Sequence, residues 1–137
     1  MSNFDGRIRE YPNLFVDNFS ASFLNLSRSQ AFFLSHAHSD HMRGLDGAAF
    51  REGFLAHRRA AFFASAETKE LLRRQSRYRR IAAAIVAVGI YDSFQVRLGR
   101  DESAESEEVG VTATFLPAQH CPGSVSIYFA GEETDRG

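Results

Sequence analysis

Ala31–Leu34 (AFFL) are four apolar side chains in a row, and the seven residues that follow, Ser35–His41, read SHAHSDH. Successive side chains of a strand point to opposite faces, so a short continuous apolar run reads as a strand buried on both sides. Ala31–Ser35 (AFFLS) therefore belongs in a sheet covered by a layer on each face. At its end the sequence changes abruptly from hydrocarbon to imidazole and carboxylate.

The rest of the chain supplies elements for such layers. Leu14–Asp17 (LFVD), after a turn-like Tyr-Pro-Asn, and Ala60–Ala64 (AAFFA) read as further strands, and Ser65 occupies the N-cap position of a helix Ala66–Arg74 in which Glu70 and Arg74 pair at i,i+4. Ile81–Ile90 is Ala-rich and then β-branched, open to either reading. Val111–Leu116 (VTATFL) and Val125–Phe129 (VSIYF) alternate as strands do, around a Pro117–Gly123 turn region. Strands interspersed with helices predict an α/β or α+β sandwich. At 137 residues, with 44% hydrophobic and 24% charged residues, the expectation is one soluble domain spanning 1–137. No apolar run reaches the roughly 20 residues of a membrane span, and the N-terminus lacks the apolar core of a secretory signal. Cys121 is the sole cysteine, so an intrachain disulfide is excluded.

Net charge is −1, but it is unevenly placed: residues 1–100 sum to +6 and residues 101–137 to −7. Asp101–Glu108 (DESAESEE) reads as a solvated acidic loop between two strands. Arg73–Arg80 carries five arginines and Tyr78. Arg74, Arg77 and Arg80 are candidates for contact with a DNA backbone, and Tyr78 for stacking on a base. The same run also fits a solvated helix end, where the dipole favours cations.

SHAHSDH holds the chemistry. Imidazole and carboxylate are the ligands zinc takes, and residues i and i+2 at a strand end point the same way, so His36 and His38 can grip one cation. A turn after them sends Asp40 and His41 toward a second position, and two ions about 3.5–4 Å apart can clamp a phosphate during in-line attack. His120 follows the VTATFL strand in a Pro- and Gly-bounded loop, PAQHCPGS. Taken alone it fits an ordinary turn, but beside the first cluster it completes a three-histidine face. Cys121, next to it, reads as a packing residue. Asp17 ends the LFVD strand and either orients a metal-bound imidazole or caps its own turn. His57, in AHRRA, has no carboxylate or histidine neighbour and reads as a surface residue.

These motifs carry a resemblance. SHAHSDH is the HxHxDH signature of the metallo-β-lactamase superfamily, and Phe32–Leu45 (FFLSHAHSDHMRGL) with Leu116–Phe129 (LPAQHCPGSVSIYF) resembles the DNA cross-link and end-processing nucleases of its β-CASP branch. The opening MSNFDGRIREYP, FVDNF and SAETKELL look most like one group of repair nucleases within that branch. The likeness runs over nearly the whole chain, and is weakest between Tyr78 and Gly110. It implies an αββα sandwich of which this chain supplies the N-terminal half, without the β-CASP cap. It implies that His36, His38 and His120 hold a first Zn2+, and that Asp40 and His41 face a second ion (zinc, magnesium or manganese), with Asp40 also handling a proton. Asp17 becomes the acid supporting the metal loop, and Ser124 approaches the scissile phosphate.

The function so implied is a metal-dependent DNA nuclease acting on 5′ ends, overhangs or hairpins, in the nucleus, beside end-joining or cross-link repair proteins. The family also needs an aspartate that bridges the metals, in a strand ending Gly-Asp-Phe-Arg, and this sequence stops at Asp135-Arg136-Gly137. A truncated domain is therefore expected, and Asp135 does not take the missing place. The alternatives are an inactive metal- or partner-binding fragment, or another superfamily hydrolase such as an RNA nuclease or thioesterase.

Overall fold

A computed structural model describes residues 7–8, 11–38, 41–99, 108–118 and 123–131. Five strands, β1 (Arg7–Ile8), β2 (Tyr11–Val16), β3 (Gln30–Phe33), β4 (Ala60–Ser65) and β5 (Ile85–Val88), form one sheet in that order. β1 is antiparallel to β2, and the others run parallel. A second sheet joins β6 (Ser93–Gly99), β7 (Glu108–Pro117) and β8 (Val125–Gly131) in antiparallel order. Helices α1 (Ala48–Ala56), α2 (Ala66–Arg73) and α3 (Arg79–Ala82) complete the set, with 3-10 turns at Ala21–Phe23 and Ser76–Tyr78.

The alternation of the strand side chains decides the layering. Phe15, Phe32, Leu34, Phe62, Ala64 and Ile85 face one way, into a core with Phe50 and Phe54 of α1, Leu72 of α2 and Ile81 of α3. Leu14, Ala31, Phe33 and Val88 face the other way, against Val96, Leu98, Val111, Ala113, Phe115 and Val125 of the second sheet. Phe32 and Phe33 are both fully buried, one in each core. That is the physical content of the unbroken AFFL run: its strand is central in the sheet and covered on both faces. The helix layer and two sheets are those of the N-terminal half of an αββα sandwich.

Some elements follow the sequence reading and others depart from it. α2 is capped by Ser65, whose hydroxyl accepts from the Thr68 N–H at 3.2 Å, and the Glu70–Arg74 pair forms at 3.1 Å, with Arg73 joining it at 2.6 Å. The ambiguous Ile81–Ile90 stretch divides: its Ala-rich start ends α3, and its β-branched part becomes β5. β7 starts at Glu108, so the last residue of the acidic stretch is strand; residues 101–107 lie outside the described residues. β1, α1 and β6 escaped the sequence reading.

His57 requires a correction: it is buried, not on the surface. Its Nε2 donates to Gln30 Oε1 at 3.2 Å, and its Nδ1 accepts from the Arg59 N–H at 3.1 Å. Gln30 in turn donates to Asn13 Oδ1 at 3.1 Å and to the Phe23 carbonyl at 2.8 Å, and Asn13 donates to the Gly99 carbonyl. Burial holds the His57 pKa below its usual value of 6.5, helped by the nearby Arg59 charge and opposed by a hydrogen bond with the Asn25 backbone. Because the folded pKa is the lower one, the unfolded chain takes up a proton first as pH falls through 6.5, and stability is lost from there downward. Urea midpoints across this range should fall less steeply for His57→Gln than for the native chain. Identical slopes would show that His57 is not held neutral by the fold.

Candidate metal centre

Three parallel strands deliver their C-terminal ends to one edge of the sheet, the place where α/β sheets bind ligands. Asp17 follows β2, Ser35 and His36 follow β3, and Ser65 ends β4. Asp17 keeps strand-like contact through its N–H to the Phe33 carbonyl at 2.9 Å, then adopts a left-handed backbone with φ of 58°. Aspartate tolerates that conformation better than most residues. The carboxylate reaches the neighbouring strand end: Oδ1 accepts the Ser35 N–H at 2.7 Å, and Oδ2 accepts the Ser35 hydroxyl at 2.6 Å and the ring Nδ1 of His41 at 2.9 Å. Asp17 thus contacts both Ser35 and the His41 ring, as well as making its own turn.

The histidine loop winds tightly. Leu34 still donates to Phe63 of β4 at 3.1 Å, after which His38 N–H bonds the His36 carbonyl at 3.0 Å and His41 N–H bonds the His38 carbonyl at 2.8 Å. The rings gather as a result. Their centroids lie 4.0 Å apart for His36 and His41, 5.7 Å for His36 and His38, and 6.5 Å for His38 and His41. His36 is buried, and the Ser35 hydroxyl lies 3.1 Å from its Nδ1. Asp40 falls outside the described residues.

A second loop, between β7 and β8, comes to the same edge. Val125 donates to the Ser35 carbonyl at 2.9 Å, and Ala118 to the Ser124 carbonyl at 3.4 Å. The Gly123 carbonyl accepts from the Ser65 hydroxyl at 2.8 Å and from the Thr68 hydroxyl at 3.3 Å. Gly123 has φ of 84°, and a Cβ there would stand 2.9 Å from the Glu67 side chain, so only glycine passes this close to the start of α2. Ser124 is buried, while His120 and Cys121 lie outside the described residues, as does Asp135. Sequence reasoning saw Ser65 only as a helix cap and Ser35 only as a strand end. Nothing local announced that Ser65 also holds the second loop.

The arginines of the basic segment meet carboxylates. Arg74 pairs with Glu70 at 3.1 Å, Arg77 with Asp46 at 3.7 Å and Arg80 with Glu52 at 2.8 Å. The guanidinium of Arg73, then that of Arg74, hold the exposed Glu70 carboxyl at a pKa of about 2. Such exposed pairs add little stability.

The donor set suits a divalent ion of borderline hardness: three clustered imidazoles, two of them braced through Nδ1 by oxygen partners. Among the described residues, however, no group of three His, Cys, Asp or Glu side chains is placed to hold a metal ion. Nor is any described helix long and apolar enough to cross a membrane.

Comparison with known proteins places this geometry in a family. Residues 12–135 match the model of the beta-lactamase superfamily domain. The chain is 42% identical over 132 residues to Protein artemis of Gallus gallus, 39% over 131 residues to Protein artemis of Homo sapiens, and 37% over 131 residues to Protein artemis of Danio rerio. Each alignment covers 96% of this chain but only 18–20% of the relative, so the chain spans about a fifth of the length of these proteins.

Proposed function

The chain belongs to the beta-lactamase superfamily, and from that premise we propose that it carries the metal-binding half of an Artemis-like, metal-dependent DNA nuclease. The observation that supports this best is the gathering of His36, His38 and His41 at one sheet edge, with Asp17 behind them as carboxylate support. His36, His38 and His120 are the proposed ligands of a first ion, zinc by donor type. Asp40 and His41 are the proposed ligands of a second, which can be zinc, magnesium or manganese. Bound there, divalent ions would supply Lewis acidity toward a phosphodiester and a water activated near neutral pH.

The chain's own residues do the rest. Asp17 and Ser35 hold the rings in place, and the Ser65 and Thr68 hydroxyls hold the loop that carries His120 and Ser124. Asp40 is proposed to move a proton at the reacting water, and Ser124 to hold the scissile phosphate. DNA would take the places of Glu70, Asp46 and Glu52 on Arg74, Arg77 and Arg80. Substrates of this kind are 5′ ends, overhangs and hairpins, and the setting is nuclear end joining or cross-link repair alongside its partner proteins.

The test is cleavage of a labelled 5′-phosphorylated strand by the purified chain with zinc or manganese. Metal-dependent cleavage that chelation stops and Asp40→Asn abolishes is the expected result. A second reading is that the chain binds metal or a repair partner without cutting. Zinc binding with no cleavage would select that reading. Cleavage of RNA or a thioester in preference to DNA would replace the DNA assignment with another hydrolase of the superfamily.

A further inference from the structure

We propose that Ser35 is a positioning residue that fixes His36 in the form protonated at Nδ1, leaving the Nε2 lone pair for a metal. This rests on the metal-centre reading above, and names the residue that orients its buried ligand.

Asp17, as a carboxylate, can only accept hydrogen bonds. The Ser35 hydroxyl lies 2.6 Å from Asp17 Oδ2, so its single proton points there. The same oxygen lies 3.1 Å from His36 Nδ1, toward which it has only lone pairs to offer. His36 Nδ1 must therefore bring the proton. His41 meets Asp17 Oδ2 directly at 2.9 Å, and the same reasoning puts its proton on Nδ1 as well.

The result is one connected set of hydrogen bonds: His36 donates to Ser35, Ser35 donates to Asp17, and His41 donates to Asp17. Both rings, 4.0 Å apart, are left with Nε2 as the basic nitrogen. An alanine at position 35 would leave His41 its carboxylate while His36 lost its acceptor. The backbone of Ser35 is held independently, its N–H by Asp17 and its carbonyl by the Val125 N–H, so the hydroxyl can be removed without unhooking the loop.

Long-range proton–nitrogen correlation on the metal-free 15N-labelled full chain, above neutral pH, reads the ring forms directly. His36 and His41 should both show the Nδ1–H pattern. Ser35→Ala should move His36 toward the Nε2–H form, leave His41 unchanged, and weaken zinc binding in chelator competition by about tenfold, the usual scale for such supporting contacts. Ser35→Thr, which keeps the hydroxyl, should restore both. An Nε2–H pattern for His36 in the native chain overturns the proposal, as does a Ser35→Ala variant with unaltered His36 and unaltered zinc affinity. Should that variant not fold, the native pattern and Ser35→Thr still decide. A native chain that shows the Nδ1–H pattern but binds no zinc would sink the metal reading and leave the assignment of Ser35 standing.

Discussion

Gly44→Ala should destabilise the fold by about 3 kcal/mol, the sum of forcing an L-residue into left-handed backbone and overpacking a rigid neighbour. Gly44 has φ of 85°, and a Cβ built on it would lie 2.2 Å from the Phe19 carbonyl oxygen, a backbone atom with nowhere to retreat. Phe19 N–H is bound to the Arg43 carbonyl at 2.8 Å, and Asn18 and Arg43 form a bridge, so the two segments touch along their backbones. The Phe19 ring is fully buried, stacked 5.0 Å from Phe62 and set edge-on to Phe50 at 5.6 Å. Moving its backbone disturbs the helix-side core at one end and the Asp17 turn at the other. Against a total stability of about 5–15 kcal/mol, this loss should appear as a midpoint shift in urea far outside error. A variant within about 0.5 kcal/mol of the native chain, the range of an ordinary surface change, would mean that the two backbones do not meet as described.

Asp17→Ala should have a comparable effect on stability and a larger one on metal binding. It removes three acceptor contacts at once, leaving the Ser35 N–H and the His41 ring without their partner. Each half-buried donor so abandoned costs about 1 kcal/mol, and alanine is less at ease than aspartate at φ of 58°. The combined loss should be about 3 kcal/mol, with zinc affinity lower by roughly 10–100-fold. Asp17→Asn separates the two effects. Asparagine tolerates the left-handed turn and keeps one carbonyl acceptor, so about half the stability should return. Its amide N–H would face a donor, so the zinc affinity should stay low. Calorimetric zinc titration beside urea unfolding makes the comparison. Native zinc affinity in Asp17→Ala would remove the carboxylate from the proposed centre.

Much of the fold was legible because its signals are local. AFFL and AAFF are continuous apolar runs, and they became β3 and β4, central strands covered on both faces. Ser65 before Ala-Glu-Thr is a cap by chemistry alone, and α2 begins there. α1 was not legible: its apolar face is carried mainly by Phe50 and Phe54, Gly53 interrupts it, and Gly47 at its start offers no side-chain cap. β6 became visible only as the partner of β7, whose register it follows from Ser93 to Gly99. His57 was misread for a related reason. Its sequence neighbours Arg58 and Arg59 are polar, but what buries it includes Gln30, 27 residues away.

The centre divides the same way. The sequence alone named the residues proposed to hold a metal, since HxHxDH after a buried strand is a matter of residue type and spacing. Tertiary structure decided how they are braced. Asp17 and Ser35 are 18 residues apart, Asp17 and His41 are 24, and Ser65 and Gly123 are 58. Those contacts exist only because parallel strands bring their C-terminal ends to one edge, a juxtaposition that no local pattern of residues encodes.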